Sequence, residues 1–384
     1  MRFLYVAPRF HPNQYPIVQG LINNGHTVNF CVARVGVTEK HGDVNVDILR
    51  PNLMTKLLEK FFERKGKNYV ENKMVFFFSP SKKDVSKLLE EFNPDVVVLR
   101  ERNLLSRKFF SVCKSLKIKN VILYNQSPIY ENAVKHNCRY YLKLLYRKMF
   151  PRVRITVCRY REYPDSEKKY EKDSEAYFLP FIVRNSEEDF SREYAPDGIV
   201  RIFDCGKYRE YKNHYILADA AKKLLEKGLK NFHVTVIGQA DNEEEQEYYN
   251  NFKKYVFDNG LASFFSINKS VPYDEMPGIY MSQDVFVLTS KKELANVSIL
   301  DSMSYGLATI TTSANGTADY VSNGETGYVF KTNSIDDLSE KLQTYLKDIS
   351  VIKKHGNAAI KIVNENYNFK SYYNKLMDII ERIE

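Results

Sequence analysis

The sequence predicts an α/β protein of two successive Rossmann-like domains, and three observations carry that expectation. The chain has 384 residues, more than one ordinary hydrophobic core accommodates. Short apolar runs alternate with amphipathic stretches along its length, the pattern of a parallel sheet wrapped by helices. The alternation occurs twice, on either side of a polar, acidic stretch, VRNSEEDFSREYAPDG, that ends in a Pro-Asp-Gly turn signal.

Each element follows from its residues. In the first domain, placed at residues 1–185, strands are expected at Phe3–Val6, Val28–Val32, Val44–Ile48, Val96–Leu99, Val121–Tyr124 and Ile155–Val157. The segment PNQYPIVQGLINNGH predicts a helix ending at Gly25, and Ser81–Phe92 an amphipathic helix stopped by Asn-Pro-Asp. Residues 186–198 are the expected linker. In the second domain, 199–360, strands are expected at Val200–Cys205, His233–Ile237, Phe264–Ile267, Val285–Leu288, Thr309–Thr312 and Gly327–Phe330. Helices are expected at His214–Lys227, Asn242–Asn259, Asp274–Met281, Ser298–Tyr305 and Ile335–Asp348. A terminal helical segment, 361–384, is expected to pack back on the first domain. Two such domains predict a ligand cleft between them, at the carboxyl ends of the strands.

Composition narrows the class. With 43% hydrophobic residues, 28 Tyr and 24 Phe, the chain has apolar area for two cores, which excludes disorder. The longest apolar runs, Met74–Phe78 and Val96–Leu99, have strand length, far short of a bilayer span. The amino terminus opens into a strand without the apolar core of a signal peptide. Cys31, Cys113, Cys138, Cys158 and Cys205 lack zinc or disulfide spacing, so a reduced, cytoplasmic location is expected. Residues 1–200 carry 35 Lys+Arg against 23 Asp+Glu, whereas 201–384 carry 22 against 25. That asymmetry predicts an anionic partner for the first half.

Two clusters carry chemistry. The first is CGKYREYKNH: a strand ends, Gly206 turns, and Lys207, Arg209 and Lys212 follow before a helix. Cations there suit a departing diphosphate, and no DxD-like acid cluster offers itself for a metal; an exposed basic loop is the plain alternative. The second is SKKELANVSILD, where Glu293 lies beyond a strand and a helix starts near Ser298. Backbone amides around Asn296, Val297 and Ser298 could receive a phosphate, Glu293 could accept sugar hydroxyls, and Asp301 could reach a ribose. Ser298 and Asp301 also fit a helix-capping pair, and Glu293 beside Lys291 and Lys292 also fits solvated charge.

In this order and separation the clusters resemble the retaining glycosyltransferases of family 4, which have the two-domain GT-B fold. Gly206-Lys207-x(4)-Lys212 is similar to the family's G-R-x(4)-K segment, with Lys207 in place of Arg, and Glu293 to Asp301 resembles its E-x7-E motif, ending in Asp. DVFVLTS, DSMSYGLATI, NGTADYVSNGETGYVF and IGQADNEE, with its Gly238, resemble it too, over about residues 200–345. The resemblance implies a UDP- or GDP-sugar donor in the second domain, no cofactor, no metal, and retention at the anomeric carbon. Lys207, Lys212 and Glu293 would be catalytic, with Gly206, Arg209, Gly238, Asn296, Val297, Ser298 and Asp301 around the donor. RFHPNQYP stands where the family has a Gly-Gly loop and YNQSP where it has a His, leaving Asn13, Asn125 and Gln126 as acceptor-side candidates.

A basic stripe, Lys135, Arg139, Lys143 and Arg147, and the segment Met54–Lys67 predict a peripheral surface for anionic membranes. The expected acceptor is then a lipid-linked glycan or polysaccharide intermediate of the cell envelope, on the cytoplasmic face of the membrane. No nucleic-acid module is present. A non-catalytic sugar-nucleotide-binding scaffold and a GT-B nucleotide-sugar epimerase are the alternatives.

Overall fold

In the computed structural model, residues 1–35, 44–64, 73–101, 103–126, 153–159, 176–183 and 192–382 are described, together with the isolated positions 138, 141, 142 and 145. They form two compact units. The first comprises the described residues up to 159, with 176–182 and 369–382; the second comprises 183 and 192–368.

In the first unit, β-branched and aromatic runs form β1 (Arg2–Ala7), β2 (Thr27–Val32), β3 (Asn45–Ile48), β4 (Val96–Arg100), β5 (Val121–Asn125), β6 (Val153–Thr156) and β7 (Ala176–Phe178). They make one parallel sheet in the order β3-β2-β1-β4-β5-β6-β7. Leu4, Val6, Val97, Leu99, Val121 and Leu123 bury one face against Val85 and Leu89 of α3 (Lys82–Phe92) and Phe109 and Val112 of α4 (Leu104–Ser115). Ser81 caps α3 by accepting the Asp84 amide at 3.1 Å, and Asn93 ends it in the left-handed region at φ 46°. The three-residue β7 is too short for periodicity to register.

Helix α1 (Tyr15–Asn23) opens with a proline in its first turn. On it, Gly20 faces the Phe369 ring of α11 (Phe369–Glu381); a Cβ there would lie 2.1 Å from the ring. His26 Nε2 lies 2.9 Å from the Tyr373 hydroxyl, so the last helix is held on the first unit by packing and a polar contact. Helix α2 (Leu53–Glu63) is capped by Asn52 yet leaves Leu53, Met54, Leu57 and Phe61 exposed, with Thr55 its buried residue. The apolar run Met74–Phe78 is helical over 73–77 rather than extended, and Phe76 and Phe77 are exposed.

The second unit repeats the plan. Strands β8 (Val200–Cys205), β9 (Phe232–Gly238), β10 (Phe265–Lys269), β11 (Val285–Leu288), β12 (Ala308–Thr312) and β13 (Gly327–Phe330) form a parallel sheet in the order β10-β9-β8-β11-β12-β13. Around it lie α5 (Tyr215–Glu226), α6 (Glu243–Asp258), α7 (Met276–Met281), α8 (Ser298–Ser304), α9 (Ile335–Lys347) and α10 (Ile349–Asn366). Asp348 ends α9 and caps α10, accepting the Ser350 amide at 2.9 Å. Helix α10 therefore runs through 361, and the terminal helix starts at Phe369. Within the expected linker, residues 192–198 are fixed to the second unit: the Tyr194 hydroxyl donates to the Gly306 carbonyl at 2.8 Å, and Asp284 accepts the Ala195 and Arg201 amides at 3.1 and 2.8 Å. Among the described residues no helix is long and apolar enough to cross a membrane.

Candidate functional site

In the second sheet the chain leaves β8 toward β9 on one side, while β11 flanks β8 on the other. The carboxyl ends of β8 and β11 are thus the topological switch point, where open parallel sheets present loops to ligands. The loop after β8 carries Lys212 and the loop after β11 carries Glu293. Lys212 Nζ donates to Glu293 Oε2 at 2.5 Å, with side chains only 10% and 15% exposed. Burial works to lower the Lys212 pKa, but the Glu293 carboxylate overcomes it and holds the ammonium above its usual value. The Ser290 hydroxyl also donates to Glu293 Oε2, at 3.3 Å. The Glu293 backbone is pinned as well: its amide donates to the Ala314 carbonyl at 3.2 Å and its carbonyl accepts the Gly316 amide at 3.0 Å. Glu293 is therefore a half-buried, fixed carboxylate rather than solvated charge.

The remaining donor candidates divide. Gly206 packs over the Lys212 stem, and the Gly206 carbonyl lies where a Cβ on Gly238 would fall, 2.1 Å away. Only glycine allows the ends of β8 and β9 to approach so closely. Asn296 is buried, exchanges backbone hydrogen bonds with the Thr317 hydroxyl at 3.1 Å, and keeps a buried amide oxygen that bonds to nothing among the described residues. Val297 and Ser298 follow at the start of α8, whose amino end carries no side-chain cap, so the Ser298–Asp301 capping alternative is not realised. Burial pushes the Asp301 carboxyl up to about 7, and its charge reaches the Cys205 thiol at the end of β8. Lys207 is exposed. Arg209, expected at the diphosphate, is committed elsewhere: its guanidinium donates to Glu245 Oε1 at 2.7 Å through Nε and lies 2.6 Å away through Nη2.

Residues 185–362 match the family described as Glycosyl transferases group 1. The second unit is a group 1 glycosyl transferase domain. Sulfoquinovosyl transferase SQD2 of Arabidopsis thaliana is 32% identical over 106 residues, 27% of this chain and 21% of that protein. UDP-Gal:alpha-D-GlcNAc-diphosphoundecaprenol alpha-1,3-galactosyltransferase of Escherichia coli is 29% identical over 181 residues, 45% of this chain and 43% of that protein. The matched stretches span less than half the length of either relative. A solved glycosyltransferase of Rickettsia africae aligns over 100% of this chain and 98% of its own, with a TM-score of 0.74 at 14% identity. The shared fold is GT-B, two parallel-sheet Rossmann-like halves.

Within the group 1 glycosyl transferase domain, the structure adds residues that the sequence pattern did not single out. The Thr289 hydroxyl contacts Asp204 Oδ2 at 3.0 Å and the Lys212 carbonyl at 2.8 Å, which ties the Lys212 loop to β8. Burial raises Asp204 to about 7, against the lowering effects of Thr289 and Lys212. His214 is fully buried and driven down to about 3 by desolvation and by Lys212. Glu245 holds the loop after β9 by accepting the Asp241 amide at 2.9 Å. Tyr208, on the loop after β8, is buried and donates to the Asn268 carbonyl of β10 at 2.6 Å. An isolated Thr, Tyr or buried Asp carries no sequence motif, so these contacts become visible only when the loops are brought together.

On the first unit, Asn13 lies on the 3₁₀ turn Pro12–Gln14, Asn125 ends β5 and Gln126 donates to the Tyr124 hydroxyl at 2.9 Å. Lys135, Arg139, Lys143 and Arg147 lie outside the described residues. Among the described residues, no group of three or more His, Cys, Asp or Glu is placed to hold a metal ion.

Proposed function

We propose that the chain is a retaining glycosyltransferase that moves a sugar from a nucleoside diphosphate onto a hydroxyl of a glycan or lipid-linked acceptor. The observation that carries this is the Lys212–Glu293 pair at the switch point of the group 1 domain. When a donor arrives, Lys212 exchanges Glu293 for the diphosphate and, with Lys207, neutralises the charge that grows on it as the C1–O bond breaks. The freed Glu293 carboxylate accepts hydroxyls of the sugar, the amides at 296–298 meet the distal phosphate, and Asp301 takes the ribose. The acceptor oxygen bonds to C1 from the face the diphosphate leaves, and a phosphate oxygen receives its proton. A UDP-sugar is the favoured donor, since the E. coli relative is named for UDP-Gal and for an acceptor on diphosphoundecaprenol.

A peripheral place on an anionic membrane fits that acceptor. Helix α2 supports it, because Leu53, Met54, Leu57 and Phe61 are exposed on the helix that also exposes Lys56, Lys60 and Arg64. The decisive test gives the full chain UDP- and GDP-sugars with a lipid-linked glycan acceptor and reads the anomeric configuration of the product by NMR. Retained configuration in the wild-type product, and loss of turnover in Lys212→Ala, are expected; an inverted product, or full turnover by the variant, overturns the mechanism. Sedimentation with anionic but not neutral vesicles is the expected result for the membrane surface.

A further inference from the structure

Asp204, next to last in β8, is a carboxyl group only 2% exposed. Its Oδ2 lies 3.0 Å from the Thr289 hydroxyl, and that hydroxyl lies 2.8 Å from the Lys212 carbonyl. Thr289, just beyond β11, is buried as well. A hydroxyl carries one hydrogen, and a hydrogen aligned on one acceptor points away from the other. With Asp204 ionised, two of these three oxygens therefore meet without a hydrogen between them, a costly arrangement away from water. With Asp204 protonated, its O–H donates to Thr289 and Thr289 donates to Lys212. Only the neutral acid satisfies both contacts.

What hangs on this chain of contacts is the Lys212 backbone. Lys212 ends a 3₁₀ turn, Glu210–Lys212, where its amide donates to the Arg209 carbonyl at 2.9 Å. Asn213 follows in the left-handed region at φ 58°, and the Lys291 amide grips the turn through the Tyr211 carbonyl at 2.7 Å. Charge points the same way as geometry. The titratable groups facing Asp204 are Lys212 and Tyr208 from the loop after β8, Cys205 from its own strand and Tyr248 from α6. On the β9 side stands Val236. Burial raises the Cys205 thiol to about 12 and both phenols too, so Lys212 is the cation among neutral neighbours. Lys212 is already paired with Glu293, and burial holds Asp204 up at about 7 against Thr289 and Lys212. An ionised Asp204 would set a second carboxylate beside the place assigned to phosphates.

We propose that Asp204 is kept as the neutral acid and, through Thr289, fixes the Lys212 backbone, which makes both side chains positioning residues for the cation that meets the donor diphosphate. The diphosphate part rests on the transferase reading; the hydrogen-bond chain Asp204–Thr289–Lys212 does not. Ionising Asp204 breaks one link, frees the turn and places a like charge near the phosphates. Donor binding should then weaken as pH rises past neutrality.

Two measurements on the full chain separate these claims. Infrared spectra without ligand, at pH 6, should show a carboxylic-acid carbonyl band that Asp204→Asn removes and Thr289→Val shifts to higher frequency. Calorimetric titration with UDP and with GDP then runs between pH 7 and 8.5, above the ordinary second ionisation of a phosphate, about 6. Wild-type affinity for the tighter nucleotide is expected to fall roughly tenfold across that range, following the protonated fraction. Asp204→Asn, whose amide donates to Thr289 at every pH, should flatten the profile. Thr289→Val should weaken binding at pH 7 and flatten the profile too, and Thr289→Ser should restore it. Absence of the band overturns the proposal, as do Asp204→Asn and Thr289→Val titrations with wild-type affinity and slope. Should neither nucleotide bind at any pH while the band is present and sensitive to Thr289, the transferase reading falls and the hydrogen-bond chain stands.

Discussion

The carboxyl ends of β8 and β1 occupy equivalent places in two sheets that share one order over six strands, yet their residues are arranged in different ways. After β8 the chain turns at a glycine and pairs its buried cation, Lys212, with a carboxylate supplied from β11. After β1 it turns through Pro8 and Phe10 without glycine and sets two arginines beside a histidine. The first arrangement is neutral at rest and lets backbone approach backbone, which fits a ligand that replaces one partner of an ion pair. The second keeps a largely buried histidine on a stiff loop, where burial, Arg100 and Arg9 drive the His11 pKa down to about 3. Topology fixes where each unit can bind; the residues at the strand ends fix what.

The comparison breaks first at the ion pair. Lys212→Ala and Glu293→Ala should each lower turnover roughly 10²-fold or more, the scale of one preorganised electrostatic contact, in steady-state transfer from a UDP-sugar. A stability readout sharpens this. Lys212→Met leaves a buried carboxylate unpaired and should cost about 3 kcal/mol in denaturant unfolding, most of it recovered in the Lys212→Met/Glu293→Gln double variant without recovery of turnover.

The backbone approach at Gly238 comes next. Its alanine variant should lose roughly 2–3 kcal/mol, because the neighbour in the way is the Gly206 carbonyl, not a movable side chain. A melting temperature unchanged within a degree would contradict that. Smaller again is Glu245→Gln, which weakens the hold on Arg209 and the Asp241 loop; about 1 kcal/mol is expected, with KM for the donor rising more than kcat falls.

The smallest effect is a pH dependence. Asp301 has its folded-state pKa raised to about 7 by burial, whereas the unfolded chain titrates in the ordinary carboxylate range. Between those values the folded state keeps a proton that the unfolded state has released, so stability falls as pH rises through the window and levels above it. The melting temperature of wild type should therefore decline relative to Asp301→Asn between pH 5 and 7. A constant difference across that range would mean that Asp301 is solvated.

How much of this was legible beforehand differs by element. Strand β11 is readable as an apolar run to the residue, because burial on both faces leaves no polar position inside it. The end of one helix at Asp348 is readable too, but α10 after it is not, since Asp348 serves both helices and leaves no loop to mark a second start. Lys212 and Glu293 were recognisable as candidates from spacing, but Arg209, equally basic and three residues earlier, is bound to Glu245. Charge type alone cannot separate these two cations.

By itself the sequence determined most of the sheet strands, the repeat of one plan in two units, and the stretch that resembles a glycosyltransferase family, because periodicity and motif spacing are local properties of a chain. Tertiary structure alone decided which charges meet. Lys212 and Glu293 are 81 positions apart, and Arg154 reaches Glu101 across 53. Electrostatic and hydrogen-bond energies depend on separation in space and on burial, and neither is written in the distance along the chain.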